Sequence, residues 1–253
     1  MNSQTTFQLG TLYLIPNTLG VYGTDGAQDT LRAVLAPQVV ETTARLQHFV
    51  VETAKVARQF LKAVGTQTPL QELQLTELNV KTPDAAVKDM LAPLLAGHDV
   101  GLLSDAGCPA VADPGARLVE AAHAAGVRVV PLVGPSSLLL ALMGSGLNGQ
   151  KFAFHGYLPI DAAARLKEVK RLESESKAHA QTQLFIETPY RNMPLLDTLL
   201  KTLNANTQLC VAADLTLPSE TIRMHRVGEW QKRLKQGQGL ELNKRPSIFL
   251  FLA

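Results

Sequence analysis

The chain of 253 residues carries 24 basic against 22 acidic residues, a net charge of +2, with 46% hydrophobic and 18% charged residues. This balance excludes a disordered chain and gives no global electrostatic footprint for nucleic acid, so any RNA contact would rest on a local patch. Cys108 and Cys210 lie far apart without metal-ligand spacing and fit reduced thiols in the cytoplasm better than a disulfide framework.

The N-terminal residues Met1 to Gly10 have neither a basic n-region nor an apolar h-region, so no signal peptide is expected. Thr11 to Pro16 reads as a buried strand and Ala27 to Leu35 as a helix whose far end meets Pro37. His48 to Glu52 is a second strand, followed by a helix over Ala54 to Ala63 that carries Lys55, Arg58 and Lys62. Pro83 to Leu95 reads as one helix closed at Gly97, and Val100 to Leu103 as the next strand. A helix over Ala116 to Ala125 stops at Gly126, and Val127 to Val133 is again a strand. Strands alternating with helices of this length predict a parallel sheet with helices on both faces.

The segment Val129 to Gln150 lacks any charge and approaches membrane-spanning length. Pro131, Gly134, Pro135, Gly144 and Gly146 punctuate it, so it reads as strand, turn, short helix and turn within a folded core, not as a membrane span. Pro135 to Met143 is the helix, with Ser136 and Ser137 near its first turn. Phe152 to Gly156 is strand-like, Asp161 to Ala180 a long charged helix, and Gln183 to Glu187 a strand, with Thr188-Pro189 opening a further helix. Gln208 to Asp214 is a strand, Ser219 to Val227 an edge strand, and Ser247 to Leu252 closes the sheet. The shorter connections predict a mixed sheet. The expectation is a two-domain α/β protein, with a parallel-sheet domain over 1–134 and a mixed-sheet domain over 135–253.

The most informative stretch is Val100-Gly-Leu-Leu-Ser-Asp-Ala-Gly-Cys-Pro-Ala-Val-Ala-Asp-Pro-Gly115. An apolar strand ends in a small-residue turn bearing Asp105 and Asp113, at the carboxyl end of a strand, where α/β proteins bind ligands. Asp113 is expected to cap the helix that Pro114 opens. Asp105 is left for a ligand, as a solvent-facing acid able to accept hydrogen bonds from ribose hydroxyls or an ammonium. The dinucleotide, P-loop, hydrolase and zincin fingerprints are all missing, and the six histidines are scattered singly, so no metal site is expected.

Thr18-Leu19-Gly20, Ser104-Asp105, Gly134-Pro135-Ser136-Ser137, Glu187-Thr188-Pro189 and Asp214-Leu215-Thr216 are small-residue turns at strand ends. At Gly10–Pro16, Leu103–Gly115, Val130–Ser136, Gly156–Pro159, Phe185–Arg191 and Ala213–Thr216 the chain resembles the tetrapyrrole (corrin/porphyrin) methylase superfamily. Within it, the chain is similar to the ribosomal RNA small subunit methyltransferase I branch, which methylates a cytidine ribose 2′-hydroxyl.

The resemblance implies an S-adenosylmethionine-dependent methyltransferase with the cofactor in a cleft between the domains. It implies cofactor contacts at Leu19, Ser104, Asp105, Gly107, Val111, Ser136, Ser137, Glu187 and Leu215. It further implies small-subunit ribosomal RNA or the small ribosomal subunit as partner, a cytoplasmic location and a homodimer. Glu187 could instead pair with Arg191 one turn on. No catalytic base is assigned, and Glu52, Lys55, Arg58, His155, Tyr157 and Arg191 are candidates by residue type alone.

Where the branch has Ala-Glu-Asp-Thr-Arg, this chain has Val51-Glu-Thr-Ala-Lys55, and Cys108 stands in place of Thr as a small packed residue. The branch's His/Asn/Glu-containing segment is not evident over 69–78, and the sequence reaches Ala253 without the branch's added C-terminal segment. These differences leave two other readings open. One is a methyltransferase for a small molecule such as a tetrapyrrole, although the Gly-Pro-Gly and Gly-Asp-Pro turns of those members are lacking. The other is a non-catalytic cofactor- or RNA-binding member of the fold, which would bind cofactor saturably and yield no product. Lys55, Arg58, Lys62, Lys151, Arg165, Lys167, Lys170 and Arg171 are the local bases that favour RNA, or equally solvated helix faces.

Overall fold

The computed structural model describes residues 8–20 and 27–253, and the N-terminal residues read for a signal peptide lie largely outside them. The chain divides into two compact units, Met1–Ser136 and Ser137–Ala253. The first runs β1 (Thr11–Ile15), α1 (Ala27–Val34), α2 (Pro37–Arg45), β2 (His48–Val51), α3 (Ala54–Val64) and β3 (Gln74–Glu77). It continues through α4 (Asp84–Asp89), α5 (Ala92–Leu95), β4 (Val100–Leu103), α6 (Ala116–Ala124) and β5 (Arg128–Pro131).

Its strands form a five-stranded sheet in the order β3-β2-β4-β1-β5, and every pairing is parallel. All of β4 is buried, as parallel strands covered on both faces must be. Two apolar clusters account for this. Ile15, Phe49, Val51, Phe60 and Leu61 lie in one, and Leu12, Val50, Leu94, Val100 and Leu118 in the other. Alternate residues of β2 thus serve opposite faces, each buried large side chain contributing roughly 1.5–3 kcal/mol.

Several elements differ from the sequence reading. Pro37 does not merely end α1: it occupies the first turn of α2, where its missing N–H costs nothing. The helix expected over Pro83 to Leu95 is two helices, because Pro93 has no N–H to continue the ladder. The strand β3 escaped notice because it is an edge strand whose side chains are mostly exposed.

The second unit runs α7 (Ser137–Ser145), β6 (Phe152–Tyr157), α8 (Ala162–His179), β7 (Thr182–Glu187) and α9 (Asn192–Thr202). It ends with β8 (Gln208–Ala213), β9 (Thr221–Arg226), α10 (Val227–Lys235) and β10 (Ser247–Leu252). Its sheet is mixed, in the order β6-β7-β10-β8-β9, with β6 parallel to β7 and the other pairs antiparallel. The last strand therefore does not close the sheet at an edge but lies at its centre, which explains why SIFLFL is apolar almost throughout.

Asp161 caps α8 by accepting from the Ala164 N–H at 2.8 Å. Thr188-Pro189 does not open α9 directly; a turn closed by the Arg191 N–H on the Thr188 carbonyl, 2.8 Å, precedes it. The unnoticed α10 places Trp230 in the core, with its indole N–H donating to the Leu209 carbonyl at 2.9 Å. No helix among the described residues is long and apolar enough to cross a membrane.

Candidate functional site

At the carboxyl ends of the neighbouring strands β4, β1 and β5, three loops are tied to one another. The Asn17 N–H donates to the Gly107 carbonyl at 2.8 Å, and the Gly107 N–H donates to Thr18 O at 3.3 Å. The Asn17 Nδ2 bonds the carbonyls of Ser104 and Asp105, both at 3.1 Å. The third loop joins through Cys108, whose thiol lies 3.4 Å from the Pro135 carbonyl and whose ionisation burial pushes up. Cys108 is thus the packed residue expected at that position.

Close approach explains two of the glycines. Gly107 adopts φ +68°, and a Cβ there would meet Leu19 Cδ2 at 3.2 Å and the Pro135 carbonyl at 3.6 Å. A Cβ on Gly134 would lie 2.2 Å from the Pro16 ring. The loop after β4 also holds Ala110 and Ala112 in left-handed conformations, at φ 66° and 62°. Non-glycine residues pay of order 1–3 kcal/mol for such backbone, a strain that concentrates where loops are shaped for ligands.

Asp105 is half-buried, not simply solvent-facing. Its Oδ2 accepts from the Thr53 hydroxyl at 2.8 Å, and its own N–H donates to Glu52 Oε2 at 3.1 Å. Its Oδ1 has no hydrogen-bond partner among the described residues. Asp113 does not cap α6. Gly115 holds the cap position without a side-chain bond, and Asp113 turns instead toward Ser104, with Glu52 and Asp105 close enough to act on it electrostatically.

Burial first, then the negative charge of Glu52, raises the Asp113 carboxyl to about 6, against a bond from Ser104 that pulls the other way. The folded state therefore holds this proton more tightly than the unfolded chain, and stability falls as pH rises from 3.8 to about 6. Asp113→Asn is expected to raise the melting temperature relative to the parent more at pH 7.5 than at pH 4. A gap that is constant or shrinks with pH in parallel thermal scans would contradict this assignment.

The other residues singled out from the sequence fall as follows. Leu19 is half-buried, Ser104 is buried with its hydroxyl on the Ala106 carbonyl at 3.2 Å, and Val111 is 48% exposed. Ser136 is the last residue of the first unit, half-buried in the loop after β5.

In the second unit, Ser137 is the first residue of α7, whose leading N–H groups have no helical partner. Glu187 is buried, and the Arg191 pairing weighed against a ligand role is formed: the carboxylate receives the Arg191 guanidinium and the Thr188 N–H. Leu215 is buried beside Asp214, which holds Arg245 at 2.7 Å.

Of the residues considered as bases, His155 bonds Gln183 at 2.5 Å, while Lys55 and Arg58 extend into solvent. Of the basic residues considered for RNA, Arg171 is held by Glu168 and Glu175. Among the described residues no group of three or more His, Cys, Asp or Glu side chains is arranged to hold a metal ion.

A family model described as Tetrapyrrole (Corrin/Porphyrin) Methylases matches residues 25–231. The chain belongs to this family. It is 32% identical over 213 residues to the ribosomal RNA small subunit methyltransferase I of Xylella fastidiosa, covering 84% of this chain and 71% of that one. It is 30% identical over 234 residues to the protein of the same name from Escherichia coli O157:H7, covering 90% and 73%.

Among solved structures, the methyltransferase CobJ matches with a TM-score of 0.59 at 17% identity, over 95% of this chain and 93% of that one. A uroporphyrin-III-C-methyltransferase from Thermus thermophilus matches with a TM-score of 0.53 at 22% identity, over 96% and 92%. These two show a shared fold. The family and the relatives make this chain an S-adenosylmethionine-dependent methyltransferase.

The first-unit loops suit that methyl donor. An adenosine with a charged methionine tail needs apolar walls, a carboxylate for hydroxyls or the ammonium, and close backbone approach. Leu19 and Val111 supply apolar surface, Asp105 an uncommitted carboxylate oxygen, and Gly107 a cradle that a Cβ would narrow.

Proposed function

We propose that this methyltransferase modifies the 2′-hydroxyl of a cytidine ribose in small-subunit ribosomal RNA, acting in the cytoplasm as a homodimer. The observation that carries the RNA reading is the relatives' shared name at 30–32% identity over 84–90% of this chain. The fold alone does not choose the acceptor, since one of the solved structures that share it is named for a porphyrin substrate.

In this reading Asp105, Ser104, Gly107, Leu19, Val111 and Ser136 hold the methyl donor, and Ser137, Glu187 and Leu215 are carried by the resemblance. S-adenosylmethionine supplies a methyl group on a positively charged sulfur that leaves as a neutral thioether. The protein's share is then mainly positioning. Asp105 is suited to orient hydroxyls because Thr53 fixes one of its oxygens and leaves the other directed by the same geometry. Glu187, paired with Arg191, serves by holding the turn after β7 in shape.

The test is incubation with methyl-labelled S-adenosylmethionine and small ribosomal subunits from cells lacking the gene. Label in one RNA fragment, with alkaline cleavage blocked at that position, is the expected result. Calorimetric cofactor binding without any transfer would overturn the RNA acceptor and favour a small molecule.

A further inference from the structure

In the second unit the parallel strands β6 and β7 end side by side, with Tyr157 in register with Ile186. The end of β6 and the loops that follow hold three large side chains out in water: Tyr157, the last residue of β6, is 58% exposed, Ile160 76% and Tyr190 74%. Hydrogen bonds brace these loops. The Arg165 guanidinium bonds the Ile160 carbonyl at 2.9 Å and lies 3.4 Å from that of Pro159. Glu187 ties down Thr188 and Arg191, and the Lys244 N–H donates to the Pro189 carbonyl at 3.2 Å. Two aromatic rings are therefore presented to water, Tyr157 at the end of β6 and Tyr190 on a braced loop after β7, at a standing cost of exposed apolar surface.

The charge around them favours an anion. Arg165 meets two carbonyls and the Thr198 hydroxyl but no carboxylate among the described residues, and exposed Lys244 likewise forms no ion pair. Of the nearby acids, Glu187 is paired with Arg191, Asp161 accepts the Ala164 N–H at the start of α8, and exposed Glu241 accepts the Asn243 N–H. Exposed aromatic faces beside unbalanced cations fit unpaired bases with their phosphates, because every base has a π-face and each phosphate a charge. A second copy of this chain would meet the same cations unpaired and would need carboxylates to offset them.

We infer that Tyr157 and Tyr190 form a stacking platform for unpaired bases of the RNA, with Arg165 and Lys244 holding the flanking phosphates. This deepens the proposed function by assigning substrate contact to named residues, and it rests on that reading for the identity of the RNA. Loss of one stacked base costs about fivefold to a hundredfold in affinity.

The experiment uses the full chain, a fluorescent single-stranded RNA oligonucleotide, and methyl transfer to small ribosomal subunits. Tyr157→Leu and Tyr190→Leu are expected to weaken oligonucleotide binding by that factor and to raise KM for subunits, with cofactor affinity unchanged. Tyr157→Phe and Tyr190→Phe should retain binding, since the ring and not the hydroxyl stacks.

Leu variants that bind RNA and methylate like the parent would overturn the platform while leaving the RNA acceptor intact. Leu variants that only shift sedimentation from dimer to monomer would also overturn it, and would assign this face to a second copy. A parent chain that methylates no RNA, yet binds the oligonucleotide through these rings, would support the platform and overturn the acceptor. A parent chain that binds no RNA overturns both.

Discussion

Asp105→Ala is expected to weaken S-adenosylmethionine binding by about ten- to a hundredfold while the protein stays folded. A hydrogen bond to a charged group is worth roughly 1.5–3 kcal/mol, which sets that range. The cost to the fold is smaller, because the only side-chain partner stranded among the described residues is the Thr53 hydroxyl, a half-buried group that water can reach. Asp105→Asn should fall between the two, since it keeps an acceptor for Thr53 and loses the charge. Calorimetric titration alongside thermal unfolding separates the effects. Unchanged affinity in a folded alanine variant would remove Asp105 from the site.

Gly134→Ala is expected to cost both stability and cofactor affinity. The added methyl would sit 2.2 and 2.3 Å from Cβ and Cγ of Pro16, and a proline ring has no alternative rotamer into which it can move. One of the loops after β1 and β5 must shift, and overpacking of this kind costs typically 1–3 kcal/mol. The displacement reaches further, because the loop after β1 is bonded to that after β4 through Asn17 and Gly107. Gly149→Ala is the matched control: nothing lies within 4 Å of the added carbon, and its melting temperature should barely move. Equal melting temperatures for the two variants would show that the loops yield freely.

The architecture was legible because it is written in patterns that act locally. Short apolar runs such as Val100–Leu103, separated by helix-length segments closed at Gly97 and Gly126, are sufficient to specify a parallel sheet. The helices and strands that went unread had weak local signals: β3 is an exposed edge, and α2 begins with a proline that also reads as a stop. The central place of β10 was out of reach for a different reason. Strand order depends on which edges pair across long separations, and both antiparallel neighbours of β10 precede it in the chain.

At the site, the sequence by itself determined the residue types: a carboxylate, hydroxyls and small residues in turns at strand ends, in a spacing that resembles one family. What only the tertiary structure decided is how each group is used. Asp113 and Glu187 look like Asp105 in sequence, being acids that follow strands or turns. Yet Asp113 is pressed against Glu52 and Ser104 and holds its proton to about pH 6, and Glu187 is consumed by Arg191 and Thr188. Asp105 pairs with no cation among the described residues, and its Oδ1 has no hydrogen-bond partner among them. The difference lies in partners far away in sequence or across a turn, and electrostatic energies depend on those distances and on burial, which residue identity does not encode.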